Sequence, residues 1–160
     1  MMLLNVGDQI PDSKYQIKIE GAVGIYGTAE YFANKKVVMF SLPGAFTPTC
    51  TKKHVPGYLE NYEALKSKGV DKVAYLSVND AHVIKAWGEE LNTQEKIDLL
   101  SDPQGEFSKT LGLLKDHGKM LGERARRSAL IAENGVIKHI FLEKKGSFKL
   151  STAEHILKHL

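Results

Sequence analysis

Residues 37–56 read VVMFSLPGAFTPTCTKKHVP. The run 36–42 is almost unbroken apolar sequence and predicts a strand buried on both faces. It stops at Pro43-Gly44, a turn signal. Thr47 is a good helix N-cap, and Pro48 suits the first helical position, where its missing N–H is not needed. Strand, turn and helix start predict a βα junction with Cys50 in the first helical turn. There its sulfur would meet unpaired backbone N–H groups and the positive end of the helix dipole, which favour thiolate over thiol. Cys50 is the chain's one cysteine. Such a residue either packs as a small hydrophobe or reacts. Its junction position and its polar or small neighbours point to reaction.

Working outward, the helix after the junction is expected to run over 49–68, kinked at Pro56-Gly57 and capped by Gly69. Residues 72–78 predict a second buried strand, and Asn79-Asp80 cap a helix over 81–91. A short strand follows at 97–100. Ser101-Asp102-Pro103 opens a helix over 104–111. Residues 116–126 are polar, basic and Gly-containing, and are expected to be a loop. Strands over 127–132 and 136–142 flank Asn134-Gly135, a strong hairpin signal. Ser151-Thr152-Ala153-Glu154 is a capping box for a last helix ending at Leu160. Before the junction, 15–20 alternates like an edge strand. Gly21, Gly24 and Gly27 are expected as hairpin or turn glycines, and Thr28 caps a short helix over 29–33. From residue 36 the order is β-α-β-α-β-α-β-β-α. It predicts a single α/β domain over 1–160 with a thioredoxin-like fold, a mixed sheet with helices on both faces.

A net charge of +3 is too weak to predict nucleic-acid binding. No apolar run approaches the roughly 18–20 residues of a membrane span. The start shows no basic segment followed by a long apolar one, so no signal peptide is expected. A lone cysteine excludes an internal disulfide and a CxxC site. A reduced thiol suits an intracellular setting: cytoplasm, or mitochondrion or plastid if a targeting segment has been removed.

The basic cluster Arg124-Ala125-Arg126-Arg127 runs into the late strand. Either it is a solvated loop face, or it carries one guanidinium to the sheet end that holds Cys50, where it would stabilise a thiolate.

The motif Pro43-Gly44-Ala45-Phe46-Thr47-Pro48-Thr49-Cys50 resembles the Pro-x-x-x-Thr-x-x-Cys signature of the peroxiredoxins. With HVPGY, LSVND and RARRSALIAENG, the whole chain is similar to the peroxiredoxin-5 and plant type II (redoxin) branch. The resemblance implies a thiol-dependent peroxidase with Cys50 as peroxidatic cysteine. Pro43 would shield it, Thr47 would hydrogen-bond peroxide and thiolate, and Arg127 would be the catalytic arginine in preference to Arg124 and Arg126. Gly44, Phe46 and Thr47 would line the substrate. The implied substrates are hydrogen peroxide and alkyl hydroperoxides, with peroxynitrite as a further oxidant. No metal or organic cofactor is implied. A homodimer is implied, and neither a nucleic acid nor a membrane is a partner.

This sequence departs from many relatives in having no resolving thiol. The two places where branches keep one correspond here to Tyr75 and to the stretch Phe148–Ser151. A one-cysteine cycle follows, with an external thiol as reductant: glutathione with glutaredoxin first, thioredoxin second. Two other functions remain open: a redox sensor that forms mixed disulfides with a protein, and an idle scaffold. A thioredoxin-type oxidoreductase is disfavoured, because Thr47 stands where a CxxC would begin. His54 is expected either to tune Cys50 or to pack. Trp87 is expected in the core, and Phe46 and Phe148 as apolar walls or dimer contacts. His155 and His159 form an i, i+4 pair expected on the surface.

Overall fold

The computed structural model describes residues 3–93 and 96–160, with only the backbone at positions 50 and 51. The apolar run forms β3, Lys36–Ser41, buried from Val37 onward. It lies inside a seven-stranded sheet. On one side it pairs in parallel with β4, Lys72–Ser77, and on the other antiparallel with β8, Ser128–Glu133. β5, Ile97–Ser101, continues the parallel part beyond β4. β9, Val136–Leu142, closes one edge through the Asn134-Gly135 turn, where both residues take positive φ (49° and 76°) as the tight hairpin requires.

Alternation along β3 feeds two cores. Val38 and Phe40 face a cluster with Val55, Tyr58, Ile84, Trp87 and Ile156, whereas Val37 and Met39 face one with Phe32, Phe107 and Leu111. The mixed sheet with helices on both faces is therefore the arrangement expected.

Several local expectations are corrected. The first helix is not continuous over 49–68. Helical backbone begins at Pro48 and widens into a π turn over Cys50–His54. It continues as α2, Val55–Glu60, breaks at Asn61, and resumes as α3, Tyr62–Ser67. Pro56 lies in the first turn of α2, directly after the π turn. The basic stretch is not all loop: β6, Leu114–Asp116, and β7, Glu123–Ala125, form a hairpin. Ladder bonds need backbone, not apolar side chains, so composition hid it.

At the N-terminus β1, Lys14–Ile19, lies between β2, Ala22–Gly27, and β5, so β2 is the edge. β1 and β2 form the hairpin expected there, with Gly21 in its turn and Gly24 and Gly27 in its second strand. Gly24 leaves room for Tyr26, whose hydroxyl would lie 2.5 Å from an added Cβ. The helix α1, Thr28–Phe32, is not capped by Thr28, whose hydroxyl turns to Pro11 and Ser13; Asp12 accepts from Ala29 N instead.

α4, Ala81–Leu91, is capped by Asp80 as read. α5, Glu106–Thr110, is held by Asp102, which accepts from Phe107 N and Ser108 N. The last helix, α6, Ala153–Leu157, takes Thr152 as its cap rather than Ser151. The Ser151 hydroxyl is already committed to the Glu143 carboxylate, and a charged acceptor is the stronger one.

Candidate active site

The carboxyl ends of the parallel strands are where an α/β sheet leaves a crevice. At that end β3 releases the chain into Pro43–Thr47. Two side chains pin this loop. Arg124 Nη1, from β7, donates to the Pro43 carbonyl at 3.2 Å, and its Nε donates to Leu121 O at 3.0 Å. Asn79 Oδ1, just after β4, accepts from Ala45 N at 2.9 Å and from the Ser77 hydroxyl. Gly44 leaves room for Arg124: an added Cβ would stand 2.5 Å from Nη1, the movable end of that side chain, and would push it aside. The Thr47 hydroxyl donates to Gly44 O at 2.7 Å. Having spent its one proton, that oxygen is left as an acceptor. Phe46 takes φ 63° and is 56% exposed, with its ring 6.3 Å from Trp87. Trp87 itself is fully buried in the core, as read.

Antiparallel pairing matches Ser41 at the end of β3 with Ser128 at the start of β8. That register brings Arg127 to the same sheet end. The Ser41 hydroxyl donates to Arg126 O and meets the Ser128 hydroxyl, both at 2.6 Å, fixing the backbone on either side of Arg127.

Arg127 Nη1 donates to His54 Nδ1 at 2.7 Å, and its guanidinium lies 5.7 Å over the Phe148 ring. His54 Nε2 faces Ser151 O at 3.1 Å. A guanidinium only donates and a carbonyl only accepts, so His54 must be neutral with its proton on Nε2. Burial pushes its pKa down to about 3, the Arg127 charge pushes the same way, and the Ser151 bond opposes weakly.

The Ser151 carbonyl also accepts from Tyr58 Oη at 2.8 Å, while its N–H and hydroxyl donate to Glu143 Oε2, each at 2.8 Å. Burial would raise the Glu143 pKa. The hydrogen bonds from Ser151, Leu150 and Lys149 outweigh it and hold the carboxyl below its usual range. A cation just before β8 is thus tied through a neutral imidazole and a serine to a buried carboxylate just after β9.

The Cys50 side chain lies outside the described residues. Its backbone opens the π turn that ends in His54, a helical irregularity common at functional sites. Pro43, Thr49, Arg127 and Phe148 line one cavity beside that turn. Of the expected site residues, Pro43 and Arg127 line this cavity; Gly44, Phe46 and Thr47 do not line it, although they follow Pro43 in the same loop. Phe148 stacks on Arg127. Arg124, Asn79, Glu143 and Ser151 were not read as part of the site. Asn79 stands in the run SVND; no local pattern marks the other three.

A family model described as Redoxin matches residues 5–157. The chain is a peroxiredoxin. It is 44% identical over 98% of its length to Peroxiredoxin-2E, chloroplastic, of Arabidopsis thaliana, and covers 69% of that relative. Reduced Prx3 in complex with hydrogen peroxide from Vibrio vulnificus superposes with a TM-score of 0.95 at 42% identity, covering 98% of this chain and 99% of that one. The Plasmodium falciparum antioxidant protein, described as a 1-Cys peroxiredoxin, gives 0.92 at 31% identity, covering 98% of each chain. The thioredoxin-like fold and the class of enzyme follow: this peroxiredoxin is a thiol-dependent peroxidase, with a peroxide as oxidant and a thiol as reductant.

Away from the site, the peroxiredoxin's His155 and His159 rings lie 4.8 Å apart and pack with His139 and Phe141. His155 is half-buried rather than a free surface residue, because β9 supplies rings for it to stack on. Among the described residues no group of three or more His, Cys, Asp or Glu is placed to hold a metal. No helix among them is long and apolar enough to cross a membrane.

Proposed function

We propose that Cys50 is the peroxidatic cysteine and that the chain reduces hydrogen peroxide and alkyl hydroperoxides in a one-cysteine cycle. The observation that carries this reading is the 2.7 Å bond from Arg127 to His54, a residue of the turn that Cys50 opens. It ties a permanent cation to that turn. A cation and a helix start both favour the thiolate.

The thiolate attacks the terminal oxygen of ROOH in line. The S–O bond forms as the O–O bond breaks. The hydrogen on the attacked oxygen stays with it, giving Cys50–SOH and RO⁻, which takes a proton from solvent. Thr47 Oγ has given its proton to Gly44. It therefore meets the peroxide as an acceptor and orients the O–H. Arg127 donates to the departing oxygen, where charge develops. Pro43 screens the sulfur from bulk water, and the Gly44–Phe46 backbone forms the rim. The sulfenic acid is the reversible rung of cysteine oxidation.

A thiol RSH then attacks the sulfenic sulfur, forming Cys50–S–S–R and releasing water. A second thiol takes R as the disulfide RSSR and restores the thiolate. Glutathione with glutaredoxin is the first choice of reductant and thioredoxin the second. Neither Tyr75 nor the stretch Phe148–Ser151, the two places where branches keep a resolving thiol, holds a cysteine, so reduction comes from outside. Such a cycle needs an intracellular thiol pool. A homodimer belongs to the same reading. Phe46 is a large apolar side chain left mostly exposed on a backbone held in the left-handed region.

The test measures peroxide consumption with glutathione–glutaredoxin or thioredoxin for wild type, Cys50→Ser and Arg127→Ala. Turnover that survives Cys50→Ser would refute the mechanism. Intact mass after peroxide and glutathione should show one glutathione on Cys50. A single rapid oxidation without turnover would mark a sensor instead.

A further inference from the structure

Arg127 is held by its backbone and by its head, and both holds lead to Glu143. Glu143 N donates to Arg127 O at 3.0 Å, which carries the β8–β9 ladder one pair beyond Ser128 and Leu142. The side chain of the same glutamate turns to the segment that follows β9. Its Oε2 accepts from Lys149 N at 2.7 Å and from the N–H and hydroxyl of Ser151, each at 2.8 Å. Leu150 N faces the same carboxylate. Glu143 is only 6% exposed. Burial works against its charge, and these donors keep it ionised.

Residues 148–151 belong to neither a helix nor a strand, so no ladder fixes them. The carboxylate does. This short segment carries two contacts of the Arg127 head. The Phe148 ring lies 5.7 Å from the guanidinium and edge-on to His54 at 5.2 Å. Ser151 O accepts from His54 Nε2 at 3.1 Å, and His54 Nδ1 takes the Arg127 bond. A ring and a carbonyl, three residues apart, thus orient one guanidinium from two directions, and one anion places both.

We infer that Glu143 is a positioning residue for the peroxide step: its carboxylate fixes segment 148–151 so that Phe148 and the Ser151–His54 pair aim Arg127 at the departing oxygen. The inference rests on the peroxidase reading and adds to it a residue that acts through others. A carboxylate suits the task better than an amide. One charged oxygen collects three close donors, whereas an amide oxygen is a weaker acceptor and its NH₂ would meet donors. Glu143→Gln therefore keeps the volume and weakens the hold on the segment. The backbone bond to Arg127 O survives the change, so the variant isolates the side chain's part.

Stopped-flow single turnover reads Cys50–SOH formation, at a pH where the thiol is fully ionised, for wild type, Glu143→Gln, Arg127→Ala and the double variant. Alkylation of Cys50 by iodoacetamide at the same pH reports access to the thiolate with no peroxide oxygen departing, and it also checks the fold. Glu143→Gln should slow the peroxide step by about tenfold, short of the loss at Arg127 itself, and leave alkylation within about twofold. In the Arg127→Ala background the same change should cost less than about twofold, because the group it positions is gone. A merely structural glutamate would slow both reactions, or would slow the peroxide step equally in both backgrounds. Either result overturns the inference, as does an unchanged peroxide step in Glu143→Gln. If wild type forms no Cys50–SOH, or Arg127→Ala costs nothing, the peroxidase reading has failed rather than this one. Should Glu143→Gln not fold, Ser151→Ala takes its place. It removes only the hydroxyl bond to the carboxylate and should slow the peroxide step by about threefold with Arg127 present and not without it. No effect, or an equal one in both backgrounds, would overturn the inference there too.

Discussion

The loop Pro43–Thr47 is flanked by two regions built on opposite terms. On the Arg127 side the contacts that set direction are polar and form a chain: guanidinium, imidazole, serine, carboxylate, with the Phe148 ring against the first two. On the α4 side they are aromatic: Phe46 leans toward Trp87, and Trp87 packs edge-on to Tyr75 at 5.3 Å. Hydrogen bonds fix direction to within tens of degrees, whereas apolar packing fixes volume and tolerates rotation. The polar side is therefore suited to aim a charge at one atom, and the aromatic side to keep the loop in place. Substitutions on the polar side should act on rate, and those on the aromatic side on stability and association.

The contrast is broken most sharply at Arg127. Arg127→Ala should slow sulfenic acid formation by about 10²–10³-fold, the cost of losing one aimed donor, while Arg127→Lys should recover only part of it, because an ammonium lacks the fork that reaches His54 and substrate together. Stopped-flow single turnover reads both. If Lys restores the wild-type rate, geometry on this side is not what matters.

His54→Ala comes next, with a loss on the order of 10- to 100-fold expected for a misplaced catalytic group. His54 acts here as a positioning residue. In the Arg127→Ala background the same change should therefore cost the peroxide step little, and a double-mutant cycle exposes the coupling. Additive losses would mean that the two act separately.

The pH dependence sharpens the same point. His54 has a folded pKa of about 3 against an ordinary 6.5. For a base held neutral by burial, the stabilising difference is complete above pH 6.5. It is lost progressively as pH falls from 6.5 toward 3, at up to about 1.4 kcal/mol per pH unit. Urea midpoints between pH 7 and 4 should fall accordingly, and His54→Gln should flatten that limb. The peroxide step should show no imidazole limb from His54 above pH 5, since the ring is already neutral there. A limb that disappears with His54→Gln would contradict the assigned tautomer.

Smaller effects belong to the loop clamps and the aromatic side. Arg124→Ala removes one charged hydrogen bond to Pro43 O, roughly 1 kcal/mol or a little more, and should cost less than tenfold in kcat/KM. Gly44→Ala should mimic it by displacing the same guanidinium. Phe46→Ala should leave the single-turnover rate within about twofold, as expected for an exposed side chain; if the proposed homodimer forms through this residue, its fraction in sedimentation should fall instead.

Much of this contrast was legible in sequence, unevenly. The βα junction was readable because an apolar run, Pro43-Gly44 and Thr47-Pro48 each carry a local signal. Arg127 was readable as a candidate only because a basic cluster abuts a strand. Choosing it over Arg124 and Arg126 took the family motif. The chain from His54 through Ser151 to Glu143 was hidden, since its members lie 97 and 8 residues apart and no local pattern links them. The β6–β7 hairpin was hidden for a different reason: its strands are charged, and pairing there is set by backbone alone. Arg124 was set aside as a loop residue, yet that hairpin carries it back to Pro43.

The double acceptor at Ser151 couples two parts of the molecule that lie far apart in sequence. Its one carbonyl accepts from both His54 Nε2 and Tyr58 Oη, so a shift of that single peptide moves both rings together. The aim of the Arg127 guanidinium is thereby set by a distant peptide as much as by β8, the strand that follows it.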